Sequence, residues 1–164
     1  MGDKVLVAMS GGIDSSVAAW MLLNEGYNVA GVTMHFGALT EGDGKRSCTS
    51  AAIDDAKKVC ACLNIPHYVF DYASRLGNEV IADFISEYQK GRTPNPCVRC
   101  NRHLKFGSLL DKAQELGFNY LATGHYAAIE KNEGGYCLTR PKDRKKDQTY
   151  FLYAIPYERL KNIL

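Results

Sequence analysis

Lys4-Val5-Leu6-Val7-Ala8-Met9-Ser10-Gly11-Gly12-Ile13-Asp14-Ser15-Ser16 decides the fold: a short apolar run passes directly into a loop of small residues and then into a helical pattern. A strand that enters a Gly/Ser loop and leaves it as a helix is built to hold phosphate. Small residues let main-chain N–H groups close around an anion, the hydroxyls of Ser10, Ser15 and Ser16 add donors, and the helix expected from near Ser15 aims its positive end at the same place. Asp14, beside this nest, is the expected ligand of Mg²⁺ against the phosphates of a nucleotide, because hard cations prefer carboxylate and phosphate oxygen. No Gly-Lys-[Ser/Thr] follows the glycines, and the spacing is not the dinucleotide fingerprint. A plain Gly/Ser turn is the structural alternative, and the buried-type strand before the loop and the amphipathic helix after it argue against one.

Outward from this stretch the pattern repeats. Strand-like runs at residues 5–9, 29–34, 67–70 and 120–123 alternate with helix-period segments at 15–24, 50–63, 76–89 and 103–116. Such alternation predicts an α/β fold with a doubly wound parallel sheet and right-handed crossovers. Gly26, then Asn64 and Pro66, then Gly91, then Gly117 punctuate the helix ends. In the fourth helix Leu104, Leu109, Leu110, Ala113 and Leu116 share a face and are expected in the core. Ligands of such sheets bind beyond the carboxyl ends of the strands. The loops to watch are therefore the phosphate loop, Met34-His35-Phe36 and Thr123-Gly124-His125-Tyr126. Residues 37–45 read as a polar surface loop, and Gly134-Gly135, between alternating runs at 127–130 and 136–139, as a hairpin turn. Residues 157–164 look like a helix just beginning, with Leu160, Ile163 and Leu164 apolar, so a fragment of a longer protein is expected.

The 164 residues are 46% hydrophobic and 23% charged, which fits a single domain over 1–164 and argues against disorder. No apolar run approaches a membrane span, and an N-terminus with Asp3 and a phosphate loop is not a signal peptide, so no membrane partner and a cytoplasmic location are expected. A net charge of +2 does not by itself argue for nucleic acid, although Arg140, Lys142, Arg144, Lys145 and Lys146 form a basic run. Six cysteines in such a chain point to packing, ligation or catalysis rather than disulfides. Cys60 and Cys62 fall in a helical pattern and Cys137 in a strand, where packing suffices. Cys48, Cys97 and Cys100 fall in or beside loops. The last two belong to Gly91-Arg92-Thr93-Pro94-Asn95-Pro96-Cys97-Val98-Arg99-Cys100-Asn101, where two prolines predict an extended path presenting both thiols. A redox pair, part of a metal or cluster site, and a sulfur-transfer site with one nucleophile are the three readings. No second Cys-x-x-Cys or His pair follows to complete a structural zinc site.

Ser-Gly-Gly-x-Asp-Ser-Ser resembles the pyrophosphate loop of the ATP pyrophosphatases, which adenylate a substrate and release pyrophosphate. Five segments together, Ala8 to Ser16, Thr93 to Asn101, Lys105-Phe106, Ala122-Thr123-Gly124-His125-Tyr126 and Lys146-Asp147-Gln148-Thr149-Tyr150-Phe151-Leu152, resemble the tRNA-specific 2-thiouridylase family, collinearly across nearly the whole chain. Cys48-Thr49 also matches a cysteine segment of many members. The resemblance implies an adenine nucleotide alpha-hydrolase-like fold of the PP-loop type and a tRNA-uridine 2-sulfurtransferase. ATP would be bound by Ala8, Met9, Ser10, Gly11, Gly12, Ile13, Asp14 and Ser15, with adenine near Met34 and Gly124 lining the pocket. The wobble uridine would be adenylated at its C2 oxygen, and sulfur would then displace AMP. It further implies Cys100 as the nucleophile, Asn95, Pro96 and Cys97 against the target base, and His125, Lys146, Asp147 and Gln148 against tRNA. A sulfur donor protein, a persulfide relay or a cysteine desulfurase, is the implied second partner.

Two departures from the family bear on this. Many members carry Asp where this chain has Cys97, which brings in an iron-sulfur cluster with Cys97 and Cys100 as two ligands and a third thiol from elsewhere. The family's later persulfide cysteine and C-terminal tRNA-gripping domains are not in these residues, so the chain resembles the catalytic PP-loop domain alone. The alternatives are another ATP pyrophosphatase that ligates or amidates a small acid, which leaves the cysteine segment without a task, and a nucleotide-binding module without turnover.

Overall fold

The computed structural model describes residues 2–37 and 50–164, and the chain divides into two compact units, Met1–Ala73 with Lys112–His125 and Ser74–Asp111 with Tyr126–Leu164. Cys48 and most of the polar loop at 37–45 lie outside the described residues.

The first unit is a four-stranded parallel sheet of β1 (Lys4–Ala8), β2 (Asn28–His35), β3 (His67–Asp71) and β4 (Tyr120–Thr123), in the order β3-β2-β1-β4. The four strands lie where hydrophobic periodicity placed them, within a residue or two at each end. β1 is central: Val5 pairs with Val29 on one edge and with Tyr120 on the other. Val5, Leu6 and Val7 are all 0% exposed, as a run buried on both faces requires. On one face Val5, Val7, Met9, Val29 and Ala122 pack with Ala19, Leu22 and Leu23 of α1 (Ile13–Asn24) and with Ala56, Val59 and Cys60 of α2 (Ser50–Cys62). Gly31 in β2 makes room for this layer: a Cβ there would lie 2.5 Å from Cys60 Sγ. Cys60 is thus a packing residue, as expected, whereas Cys62 is exposed. The outward side of α1 carries Ile13, Val17, Trp20 and Met21, all exposed.

Helix ends follow the punctuation. Gly26, Asn64, Gly91 and Gly117 all have positive φ, the left-handed conformation that closes helices. Across the sheet, the Thr33 hydroxyl donates to Met9 O (3.1 Å) and contacts His67 Nε2 at 2.9 Å. With its proton on Met9, Thr33 accepts from an Nε2–H tautomer. Burial, followed by the nearby Lys57 charge, pushes the His67 pKa down and keeps the ring neutral.

The second unit corrects three expectations. The third helix starts earlier than expected: α3 covers residues 73–89, as Ala73–Arg75, Leu76–Ile81 and Ala82–Gln89. Cys97 and Cys100 are helical rather than extended, since α4 runs through Pro96–Arg99 into Cys100–Leu109. Asn95 causes this start: its Oδ1 accepts the N–H groups of Cys97 (3.0 Å) and Val98 (3.3 Å). Pro96 follows at the first helical position, where a missing N–H costs nothing. The helix kinks at Gly107 (φ −96°, ψ −108°) before α5 (Leu110–Glu115). Arg159 Nη1 donates to Gly107 O at 3.2 Å and pairs with Asp111 at 2.7 Å, so the carbonyl at the kink is satisfied. Leu104, Leu109, Leu110 and Ala113 are buried as expected, but Leu116 is 44% exposed, in the turn after the last helical residue, Glu115.

β5 (Ala128–Asn132) and β6 (Gly135–Thr139) form an antiparallel hairpin in which Asn132 pairs with Gly135. The turn is therefore Glu133-Gly134, not Gly134-Gly135. The chain's last apolar residues close the unit rather than open a helix: Tyr157–Asn162 is a tight 3₁₀ turn that buries Leu160 and Ile163. No described helix is long and apolar enough to cross a membrane.

Gly31→Ala should destabilise the chain by about 1–3 kcal/mol, the usual cost of overpacking a close-packed core. In a Cys60→Ala background the same substitution should cost less, because the obstructing sulfur is gone. Denaturant melts of the two singles and the double measure the coupling.

Candidate functional site

The sheet order places a topological switch point between β1 and β4, where successive connections leave in opposite directions and a crevice opens at the carboxyl edge. The loops after these two strands meet there. Gly124 follows β4, and a Cβ on it would lie 2.6 Å from Ser15 N, so its main chain rests on the first turn of α1. Gly11 (φ 75°) sits against the main chain of α2, where a Cβ would lie 2.6 Å from Ala52 O. At this position the left-handed conformation and the close approach both require glycine.

The serines of the loop do something other than point outward. Ser15, 2% exposed, bonds through Oγ to Ser10 N (3.2 Å), Ser10 Oγ (3.2 Å) and Gly12 O (3.2 Å). Ser16 Oγ donates to Gly12 O at 2.9 Å, and Ser10 Oγ accepts from Gly12 N at 3.3 Å. The hydroxyls therefore fix the shape of the loop. The donors for an anion come from the end of α1, whose N-cap, Gly12, is extended (φ −94°, ψ 170°) and supplies no side-chain cap. Asp14 stands exposed in that first turn, and Ile13 is 80% exposed beside it. α1 starts two residues earlier than the expected Ser15, which puts Asp14 on the helix. Ala8 ends β1, Met9 N donates to Val32 O at 2.7 Å, and Met34 lies buried near the same edge of β2. The structure thus gathers residues 8–15, Met34 and Gly124 at one sheet edge. After Gly124, His125 Nδ1 lies 2.7 Å from Thr123 Oγ1, which also accepts His125 N–H at 3.3 Å. Thr123 Oγ1 thus holds both the His125 main chain and its ring.

In the second unit the start of α4 carries Asn95, Pro96, Cys97 and Cys100 on consecutive turns. The two thiols differ. Cys97 is exposed, two positions into the helix, while Cys100 is largely enclosed. Burial pushes the Cys100 thiol above its ordinary value; the Lys105 charge opposes this and Cys97 adds to it. Among the described residues no group of three or more His, Cys, Asp and Glu is placed to hold a metal. Cys97 and Cys100 supply only two ligands, so the described residues do not fit an iron-sulfur cluster. Asn101, 2% exposed, donates Nδ2–H to Phe151 O at 2.9 Å and ties α4 to the turn Thr149–Phe151.

Lys146 and Gln148 contact Tyr126. Lys146 Nζ donates to the Tyr126 hydroxyl at 3.0 Å and lies 4.6 Å from its ring centroid. Gln148 accepts Tyr126 N–H through Oε1 at 2.8 Å, and its own N–H donates to Tyr126 O at 3.0 Å. Asp147 accepts from Thr149 N (2.9 Å), Thr149 Oγ1 (2.7 Å) and Arg140 Nε (2.6 Å). These donors, Thr149 first and then Arg140, hold its carboxyl down at about 2. Two cations of the basic run, Arg140 and Lys146, are thus engaged within the chain. Arg102 of α4, and Tyr150 and Tyr153 in and beside the turn Thr149–Phe151, were not singled out by sequence reasoning. The signal available was Tyr150 inside one of the quoted segments.

Exposure favours Cys97 as the faster thiol, and the raised pKa of Cys100 slows that thiol at neutral pH. Iodoacetamide at neutral pH should label Cys97 well before Cys100, and labelling of Cys100 should keep rising with pH beyond the range of an ordinary cysteine. Peptide mass spectrometry over a pH series reads both, and equal rates would contradict the burial of Cys100.

The family model described as "tRNA methyl transferase HUP domain" matches residues 3–164. The chain is 58% identical over 161 residues to "tRNA-specific 2-thiouridylase MnmA 1" of Syntrophus aciditrophicus, covering 98% of this chain and 43% of that protein. It is 49% identical over 164 residues to "tRNA-specific 2-thiouridylase MnmA" of Clostridium botulinum strain Alaska E43, covering 98% and 45%. The chain spans less than half the length of these relatives. Among solved structures it is similar to the predicted subunit of tRNA methyltransferase from Methanocaldococcus jannaschii (TM-score 0.51, 20% identity, 74% of this chain and 52% of that one). It is also similar to the glutamine-dependent NAD⁺ synthetase of Acinetobacter baumannii, solved with ADP (TM-score 0.52, 16% identity, 74% and 21%). These two show the fold, an α/β doubly wound parallel sheet. With residues 3–164 matched, the chain belongs to the tRNA methyl transferase HUP domain family, alongside relatives named tRNA-specific 2-thiouridylase.

Proposed function

We propose that this chain supplies the ATP site and the sulfur-bearing thiol for 2-thiolation of the wobble uridine of tRNA. The observation that carries the reading is the meeting of Gly124 with the uncapped first turn of α1 at the switch point, a backbone cradle open to an anion. The names of the relatives supply the chemistry, and the cysteine helix supplies the thiol.

In this reading residues 8–15 hold the triphosphate, adenine lies by Met34, and Gly124 lets the β4 loop close over the phosphates. Asp14 with the nucleotide's own oxygens would hold Mg²⁺, which neutralises charge on the phosphates. The C2 oxygen of uracil attacks the α-phosphorus, and pyrophosphate leaves with the electron pair of the broken P–O bond. AMP is now the leaving group at C2. The terminal sulfur of a persulfide on Cys100, loaded by a donor protein, bonds to C2 as AMP departs; a second thiol then cleaves the S–S bond and is left in a disulfide with Cys100. Asn95 and Pro96 set the helix start that faces the base, with Cys97 in the position of the family's Asp. His125 and Lys146 contact tRNA, while Asp147 and Gln148 act by holding that segment.

Asp14→Ala should weaken Mg·ATP binding by about tenfold or more, given the strength of charge-assisted contacts. Gly124→Ala should do the same by displacing Ser15. Calorimetry with Mg²⁺ present tests both, and unchanged affinity in both would contradict the nucleotide site. In the protein that carries this chain, Cys100→Ser should abolish sulfur incorporation into unmodified tRNA while tRNA-dependent pyrophosphate release persists. Retained thiolation would remove Cys100 from the reaction.

A further inference from the structure

Behind the cysteine helix lies a cavity of about 320 Å³, at the small end of ligand pockets. Asn95, Val98, Arg99 and Arg102 line it from α4. Their spacing of three, four and seven residues is that of one helix face. Cys97 and Cys100 fall on the opposite face, about 10 Å across the helix, so this cavity is not the reaction centre. Its far wall is the turn bearing Tyr150 and Tyr153.

The chemistry of the walls is selective. Tyr150 and Tyr153 are 65% and 68% exposed, with ring centroids 6.1 Å apart and planes tilted by 42°. Two large aromatic faces are thus open to solvent at the cavity mouth. Glu87 is held by Lys90 (3.3 Å) and Arg92 (3.3 Å), and Arg99 by Asp83 (2.9 Å). Arg102 is exposed and makes no ion pair among the described residues. The walls therefore present aromatic faces beside an uncommitted guanidinium, the pairing that takes a base by stacking and its phosphate by charge. Asn101 keeps the two walls in register by bonding α4 to Phe151 O, between the two tyrosines.

We infer that this cavity binds a nucleotide adjoining the target uridine of the RNA, its base stacked on Tyr150 or Tyr153 and its phosphate at Arg102. The inference rests on the thiolation reading for the identity of the RNA. The target and its neighbour then lie on opposite sides of α4, so the strand passes around the helix end at Thr93–Asn95 with the two bases splayed apart. Unstacked, splayed bases are the usual form in which single-stranded RNA is read.

The test is crosslinking of an unmodified anticodon stem-loop carrying one 5-iodouridine, at the target position or at each neighbouring position in turn, to the full chain with Mg·ATP. A neighbouring position is expected to label Tyr150 or Tyr153, and the target position to label neither. Separately, Tyr150→Ala and Tyr153→Ala should each weaken stem-loop binding by about fivefold or more, the effect of losing one stacked base. Arg102→Gln should flatten the salt dependence of binding by roughly one unit, and Arg102→Lys should restore it. ATP affinity and melting temperature, measured on the same variants, should not change. If no neighbouring position labels either tyrosine, or the Tyr150→Ala/Tyr153→Ala double variant binds the stem-loop as the parent does, the inference falls. Thiolation of tRNA by the protein that carries this chain, surviving that result, would leave the proposed function standing. Labelled tyrosines with no thiolation would overturn the function and keep the nucleotide site.

Discussion

Everything at the carboxyl edge of the sheet depends on β1 being paired along both edges. Its residues pair with β2 on one side and β4 on the other. The chain must therefore leave β1 one way and return by another to reach β4, and the loops that follow the two strands are forced together. Parallel pairing demands crossovers, crossovers bring helices, and the helix after β1 has its N-terminus at the junction. The small residues there answer to this constraint first. Gly11 has α2 against it and Gly124 has α1 against it, whether or not a ligand is present.

This separates two kinds of chemistry within one loop. The serines close the loop onto itself through Ser15, which is buried, and Asp14 is left exposed in the helical turn. Shape and charge are thus carried by different side chains. The same division recurs in the second unit, where Asp147 and Gln148 hold the main chain around Tyr126 and Lys146 meets the ring.

The sheet was legible because its signal is local and repeated: apolar runs of strand length, each followed by a helical period and a residue able to take positive φ. The loop after β1 was legible because Gly, Ser and Asp have few other reasons to occur together there. The start of α4 was not. Pro94 and Pro96 look the same in sequence whether they extend a chain or open a helix, and only the Asn95 side chain bonding forward to Cys97 and Val98 decides it. The serine roles were missed for a related reason, since composition shows a hydroxyl but not which way it points. The division into two units and the cavity behind α4 were invisible because they join segments some fifty residues apart, such as Asn101 and Phe151.

The outward side of α1 has a practical consequence. Trp20 is the single tryptophan of the chain and stands 55% exposed on the helix that follows the Gly/Ser loop after β1. Its indole emission is therefore an intrinsic, label-free optical reporter confined to one element, uncontaminated by a second fluorophore of its kind. Ten tyrosines offer energy-transfer donors to it, so excitation wavelength alone chooses between a view of α1 and a view of the chain at large.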